Sequence, residues 1–287
     1  MRNNAFSVCI FVLTLMTTSF RWPVDNGRIT STFGESRWDH FHDGVDMIAP
    51  DNKIYPVASG RLIFSWDRSI FPLDNYPGGG NYKIIEHTNG VYSLYLHLAD
   101  GISLHQRYRE DDLLGMIGNT GHSFGKHLHF SLLKIAKGIS LNPFIFLPQF
   151  RDEKEPQICS MYIRIDDRYF LINENSNIRL TQHYPLLIDI SDSIEGKESL
   201  GIYKLNVLVN GKKTLDVDFS QIGFSKNGLT IWDKTFHDLF DEKGYYKVKN
   251  INYSNGINQV RILVSDYAGN SSTKEISFNV KLELEQK

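Results

Sequence analysis

The stretch 80-GNYKIIEHTNGVYSLYLHL-98 decides the fold class. It reads as two alternating strands on either side of Asn89-Gly90. An Asn-Gly pair tolerates positive φ at both central positions, which a two-residue β-hairpin loop requires. Working outward, 53-KIYPVASGRLIFSW-66 gives β-branched runs broken by Gly60, and 71-FPLDNYPGGGN-81 is a Pro/Gly-rich loop between strands. Downstream, 113-LLGMIGNTG-121 and 127-HLHFSLLKI-135 supply further strands punctuated by glycine. Long helical periodicity is absent. The first half is therefore expected to be an antiparallel β-sheet domain over residues 21–150.

The segment 147-LPQFRDEKEPQ-157 is polar, charged and flanked by prolines, and reads as a linker. Beyond it lie short alternating runs, among them 186-LLIDIS-191, 203-YKLNVLVNGKKTLDVDF-219 and 259-QVRILVSDYAGNSSTKEISFNV-280. Asn210-Gly211 marks a second hairpin. Several such strands in this span predict a β-sandwich over residues 158–284, so the whole chain is expected to be all-β.

The first twenty residues, MRNNAFSVCIFVLTLMTTSF, differ from the rest. Arg2 precedes an uncharged apolar run from Phe6 to Met16, followed by small polar residues. This is the layout of a secretory signal peptide over residues 1–20. The run is shorter than the roughly 20 residues that a membrane span needs, and no later stretch is long and apolar enough to act as an anchor. Export to the periplasm, cell envelope or extracellular space is the expectation. Removing the leader takes Cys9 and leaves Cys159, so a disulfide framework is excluded. Cys159 is expected to be a buried apolar residue. The net charge of -2 over 287 residues gives no electrostatic reason to expect nucleic acid as a partner.

Eight of the ten histidines fall between His40 and His129, which concentrates candidate chemistry in the first half. His127 and His129 stand at i and i+2 of a strand, about 7 Å apart on one face. One ring can bind a metal while the other reaches a water or a substrate, although the pair taken singly also describes a polar strand face. In 40-HFHDGVDMIAP-50, Gly44 and Val45 disfavour a helix and place His42 and Asp46 on a turn that leads into a strand. Zinc accepts imidazole nitrogen and carboxylate oxygen, and catalytic sites commonly use three protein ligands. His42, Asp46 and one of His127 and His129 would complete such a set. His97 ends an apolar strand, where a lone polar group needs a partner. It is either a satisfied core histidine or a group available for proton transfer. No HExxH helix occurs, so a histidine is the expected base.

At these residues the chain resembles the lysostaphin-type (LytM-like) zinc endopeptidases. The matching blocks, in family order, are STFG (31–34), HFHDGVDM (40–47), YPVASGRL (55–62), GGGNYKIIEH (78–87), YSLYLHL (92–98) and LLGMIGNTGHSFGKHLHF (113–130). The resemblance covers about residues 28 to 148. It implies that His42, Asp46 and His129 bind zinc and that His97 and His127 are catalytic. One of these two would take a proton from water, and the other would assist the oxyanion or the leaving amine. It also implies hydrolysis of peptide bonds in peptidoglycan, in cross-links or stem peptides.

A catalytically silent relative that binds peptidoglycan and activates other wall hydrolases is the alternative, and a purely structural zinc module a third. His122, Phe124 and the segment 103–115 depart from the family pattern and bear on substrate fit. His40 is expected to lie in solvent or beside the ligands, and His87 to be structural. Asn81, Tyr82 and Tyr95 either line the cleft or pack. The DYAGN at 266–270 resembles a turn of bacterial immunoglobulin-like domains, which implies a spacer or a module that meets a protein or glycan partner.

Overall fold

The computed structural model describes residues 20–75, 77–101, 104–194, 199–226 and 228–283. The expected leader at 1–20 lies outside them except for Phe20, which is buried. The hairpin anticipated around Asn89-Gly90 is present. Strands Asn81–Glu86 and Tyr92–Leu98 run antiparallel with Glu86 opposite Tyr92, and Asn89 and Gly90 take φ of 63° and 65° at the turn. The first loop is longer than two residues, with a 3-10 turn over Thr88–Gly90, whereas the second hairpin is the two-residue form, with Asn210 at φ 51° and Gly211 at 76° between strands Lys204–Val209 and Lys212–Asp218.

The first hairpin lies within one large antiparallel sheet. Strand Gly60–Trp66 flanks it on one side and Leu128–Lys134 on the other. The far edge of Leu128–Lys134 is shared. Val45–Ile48 pairs with its first half and Ile139–Leu141 with its second. Met47, Ile54, Val57, Ile85, Tyr95, Leu128, Phe130 and Leu132 are almost wholly removed from water. Each such side chain contributes about 1.5–3 kcal/mol relative to exposure. The Tyr95 hydroxyl accepts from the Val57 N–H at 2.9 Å, so its polar end is satisfied inside this core.

Two further sheets, of four and five strands, hold most of the strands beyond residue 156. The first orders Arg168–Leu171, Gln157–Ile165, Leu186–Ser191 and Tyr246–Val248. The second orders Asn177–Leu180, Ser271–Leu282, Gly256–Ser265, Lys204–Val209 and Lys212–Asp218. Alternation buries Leu205, Val207, Val260, Ile262, Val264 and Phe278 from one sheet, and Met161, Ile163, Leu186 and Ile188 from the other, in one continuous core. The all-β architecture matches the sequence-based expectation.

Cys159 corrects one expectation: it is exposed. Ile158 faces Ile190 and Ser160 faces Asp189, so Cys159 is the extra residue of a bulge and falls out of the inward-facing series.

Strands Gln221–Ser225, Gly228–Ile231 and Lys234–Thr235 leave the C-terminal sheets and extend the first sheet, with Ile139 opposite Gly223. Around this junction Asn142 Nδ2 donates to the Phe219 carbonyl at 2.6 Å, and Phe41 packs edge-on against Phe236 and Phe240. The Tyr267 hydroxyl donates to the Phe33 carbonyl, and Gly201 N–H donates to Thr32 Oγ1 at 2.9 Å. The loop that carries His42 thus rests on residues more than 160 positions away in sequence.

Candidate metal centre and active site

Register brings the first two donors together. Asp46 on Val45–Ile48 is directly opposite His129 on Leu128–Lys134. Directly opposed residues of an antiparallel pair share a face with their side chains close. Gly44 makes the approach possible, because a Cβ there would lie 2.6 Å from both His129 Nε2 and the Phe130 carbonyl. His42 arrives from the preceding hairpin, held by His42 N–H to the Glu35 carbonyl at 2.9 Å and Gly34 N–H to the His42 carbonyl at 2.7 Å.

Three donor atoms form a nearly equilateral triangle. His42 Nε2 to Asp46 Oδ1 is 3.0 Å, His42 Nε2 to His129 Nδ1 is 3.0 Å, and His129 Nδ1 to Asp46 Oδ1 is 2.9 Å. All three residues are buried. Each outward atom is already engaged. His42 Nδ1 donates to the Thr32 carbonyl at 2.7 Å, which leaves Nε2 as the lone-pair nitrogen. His129 Nε2 donates to Ser131 Oγ at 3.0 Å, with Asp43 Oδ1 at 3.4 Å. Asp46 Oδ2 accepts from Arg37 Nη2 at 2.6 Å, and the same nitrogen reaches Ser31 Oγ at 2.7 Å. Outer partners of this kind fix the tautomer and orientation of metal-binding side chains.

Two lone-pair nitrogens and a carboxylate oxygen turned toward one point repel unless a cation lies among them. The set of two imidazoles and one carboxylate is that of a three-ligand zinc site. The electrostatics agree. Burial pushes the Asp46 carboxyl up, but His42 and His129 outweigh it and hold Asp46 well below the usual range. Burial pushes His129 down, and Asp43 and Asp46 outweigh that in turn, raising it to about 9. In the metal-free protein, a proton on His129 supplies the positive charge that the two carboxylates demand.

Two more histidines border the triangle. His127 Nδ1 donates to the Gly125 carbonyl at 2.8 Å, and its Nε2 lies 3.7 Å from Asp46 Oδ1. His97 Nδ1 donates to the Thr120 carbonyl at 2.8 Å. The His97 ring centroid is 4.9 Å from that of His127 and 6.2 Å from that of His129. Burial and the neighbouring histidines depress His97 to about 4, against the pull of the Thr120 carbonyl.

His97 reaches this position through a backbone irregularity. Lys83 faces Tyr95 and Asn81 faces Leu98, so Leu96 and His97 together oppose Tyr82 in a bulge. His97 itself has φ of 60°, which a β-strand side chain adopts at a cost. Regular alternation would put His97 on the face of Tyr95. The left-handed residue turns the ring toward His127 and His129 instead.

All five sequence-predicted positions, His42, Asp46, His97, His127 and His129, thus converge. The other candidates do not join them. His40 is exposed and paired with Asp39 at 2.6 Å. His87 is buried with Nε2 2.7 Å from Ser93 Oγ. Tyr95 is core. His122 and Phe124 are exposed on the loop before His127. Sequence reading missed Arg37, Asp43, Thr120 and Ser131, which hold the ligands and His97 from outside. The one available signal was the density of hydrogen-bonding side chains in 31-STFGESR-37.

Residues 40–143 match the sequence model of peptidase family M23. This stretch is an M23 peptidase domain. A separate family model matches residues 155–281. The chain is 33% identical over 117 residues to the peptidoglycan DD-endopeptidase ShyA of Vibrio cholerae, covering 39% of this chain and 26% of that protein. It is 32% identical over 115 residues to the DD-carboxypeptidase/endopeptidase Mpg of Neisseria meningitidis, covering 38% of this chain and 25% of that protein. The chain therefore spans about a quarter of the length of these relatives. Among solved structures, a zinc-containing peptidase from Vibrio cholerae shares 30% identity with a TM-score of 0.34, covering 40% of this chain and 36% of that one. The M23 match contains all five converging residues.

Proposed function

We propose that this chain is an exported zinc metalloendopeptidase that hydrolyses peptide bonds of peptidoglycan, with the M23 domain as the catalytic unit. The observation that carries the reading is the triangle of His42 Nε2, Asp46 Oδ1 and His129 Nδ1, with edges of 2.9–3.0 Å, beside two further histidines. The relatives named above support peptide bonds of peptidoglycan as the substrate. Export rests on the leader-like residues 1–20. Among the described residues no helix is long and apolar enough to cross a membrane. We read residues 158–284 as an immunoglobulin-like β-sandwich that spaces the catalytic unit or meets a protein or glycan partner.

His42, Asp46 and His129 would hold the zinc ion. The ion held there would supply polarisation of a peptide carbonyl and acidification of water. His97 and His127 each keep Nδ1 on a backbone carbonyl, so each presents Nε2 as the atom that takes or returns a proton. His97, depressed by burial, enters the reaction neutral at pH 7, with Nε2 carrying a lone pair. His127 lies nearer solvent and can return one to the leaving amine. The silent-activator alternative is disfavoured because a chain kept only for binding has no use for two proton-transfer groups beside a metal triangle.

The deciding experiment is digestion of defined muropeptides by the mature protein, with and without chelator, followed by mass analysis of the products. Cleavage that chelator abolishes and zinc restores is the expected result. His129→Ala should lose both metal and hydrolysis. His127→Ala should keep the metal and lose turnover by about 100-fold or more. Intact muropeptides from zinc-loaded protein would favour the activator.

A further inference from the structure

We propose that Asp152, Asp192 and Asp266 form a second metal site, remote in sequence from the M23 centre, that takes a calcium ion. One carboxylate oxygen from each lies within 4.8 Å of the other two. A calcium ion holds its oxygens at about 2.3–2.6 Å, so it spans that separation without rearrangement of the backbone.

The three residues come from three parts of the fold. Asp152 sits in the segment that leaves the M23 domain. Asp192 follows strand Leu186–Ser191 of the four-stranded sheet, where it bridges Leu200. Asp266 follows strand Gly256–Ser265 of the five-stranded sheet. Two of the carboxylates have local partners. Asp266 Oδ1 accepts the N–H groups of Ala268, Gly269 and Asn270, and its Oδ2 accepts from Asn270 Nδ2. Asn270 Nδ2 also donates to the Asp152 carbonyl at 3.1 Å, which draws the linker to the turn. Asp152 Oδ1 accepts from Lys154 N–H at 3.0 Å.

Asp192 is held less completely, by the Ser193 backbone alone. It is 5% exposed and its Oδ1 has no hydrogen-bond partner. A carboxylate oxygen hidden from water without a donor is strongly unfavourable. Among the described residues no ion pair reaches any of the three aspartates, so the missing component is positive charge.

An oxygen-only donor set selects a hard cation over zinc or copper. A groove of about 950 Å³ gives access to Asp192 and offers Ser191 and Ser193 beside it. Lys154 and Lys274 also line the groove, and Lys274 Nζ is engaged by the Ile158 carbonyl at 3.1 Å. A bound ion would tie the linker to both sheets of the C-terminal unit and so fix how that unit continues from the M23 domain.

The test uses the full mature chain loaded with zinc, titrated with calcium alone by calorimetry and followed by thermal unfolding. One calcium per chain should bind, and the unfolding temperature should rise by several degrees as calcium exceeds its dissociation constant. Magnesium, which demands a tighter octahedral shell, should bind at least about tenfold more weakly. Asp192→Asn should abolish the calcium-dependent shift. Asp152→Asn, a change in the half-buried linker that threatens the fold less, should weaken binding by about tenfold or more. The proposal falls if neither calcium heat nor a thermal shift appears at millimolar calcium, or if both variants bind calcium like the parent. It falls equally if unfolding responds to pH but not to calcium, which would make the cluster a shared-proton site.

Discussion

The proton on His129 links the proposed metal centre to pH. Its value of about 9 lies above the ordinary 6.5 because Asp43 and Asp46 outweigh the burial penalty. A metal ligand must be unprotonated. At the proposed zinc site the ion would have to displace this proton at pH 7, and apparent affinity should rise about tenfold per pH unit toward 9 and then level off. The same raised value means that His129 stabilises the metal-free fold most fully below about pH 6.5 and loses that contribution as pH climbs through 9. Calorimetry of zinc binding in buffers of different ionisation enthalpy reads the release directly. Binding at pH 7 without proton release would contradict the arrangement of His129 between two carboxylates.

At the scale of elements, the loop 77–80 and the bulge at His97 act together. His97 N–H donates to the Gly79 carbonyl at 2.9 Å, and Gly80 has φ of 66° with its backbone against Thr120. A Cβ on Gly80 would come within 2.3 Å of both Thr120 O and Thr120 Oγ1. Thr120 O is the acceptor that holds His97. Gly80→Ala should therefore displace His97 and lower turnover by about tenfold or more, while zinc content stays at the parent level because no ligand rests on Thr120. Metal analysis beside a muropeptide assay separates the two effects. Full turnover in this variant would show that the position of His97 does not matter.

On the scale of the molecule, the C-terminal residues Phe219, Phe236 and Phe240 form the floor under Phe41 and so under the His42 hairpin. Phe240 is 1% exposed. Phe240→Ala should cost about 3–5 kcal/mol of stability and also weaken zinc retention, because its packing partner Phe41 adjoins a ligand. Phe278 is equally buried but packs against Tyr253 inside the C-terminal sheets. Phe278→Ala should cost similar stability and leave zinc affinity unchanged. Chemical denaturation combined with competition against a zinc indicator tests both, and equal zinc affinity in the two variants would refute the floor.

The sequence by itself determined the strand content and both Asn-Gly hairpins, because these follow from local turn chemistry and period-two alternation, and its family resemblance singled out His42, Asp46 and His129 as the proposed ligands. It could indicate that His127 and His129 share a face, since that needs only the pleat of one strand. Tertiary structure alone decided the rest. The ring of His97 looks into the site because a bulge and a left-handed residue override alternation, and nothing local in YSLYLHL announces either. Arg37 met Asp46 through the fold of the loop before Val45, Asp43 met His129 through the pairing of Val45–Ile48 with Leu128–Lys134, and Cys159 moved outward through a bulge against Leu186–Ser191. Strand Gln221–Ser225 joined the M23 sheet because the edge at Ile139–Leu141 offered unpaired backbone groups, and which strand satisfies an edge depends on the whole chain being folded.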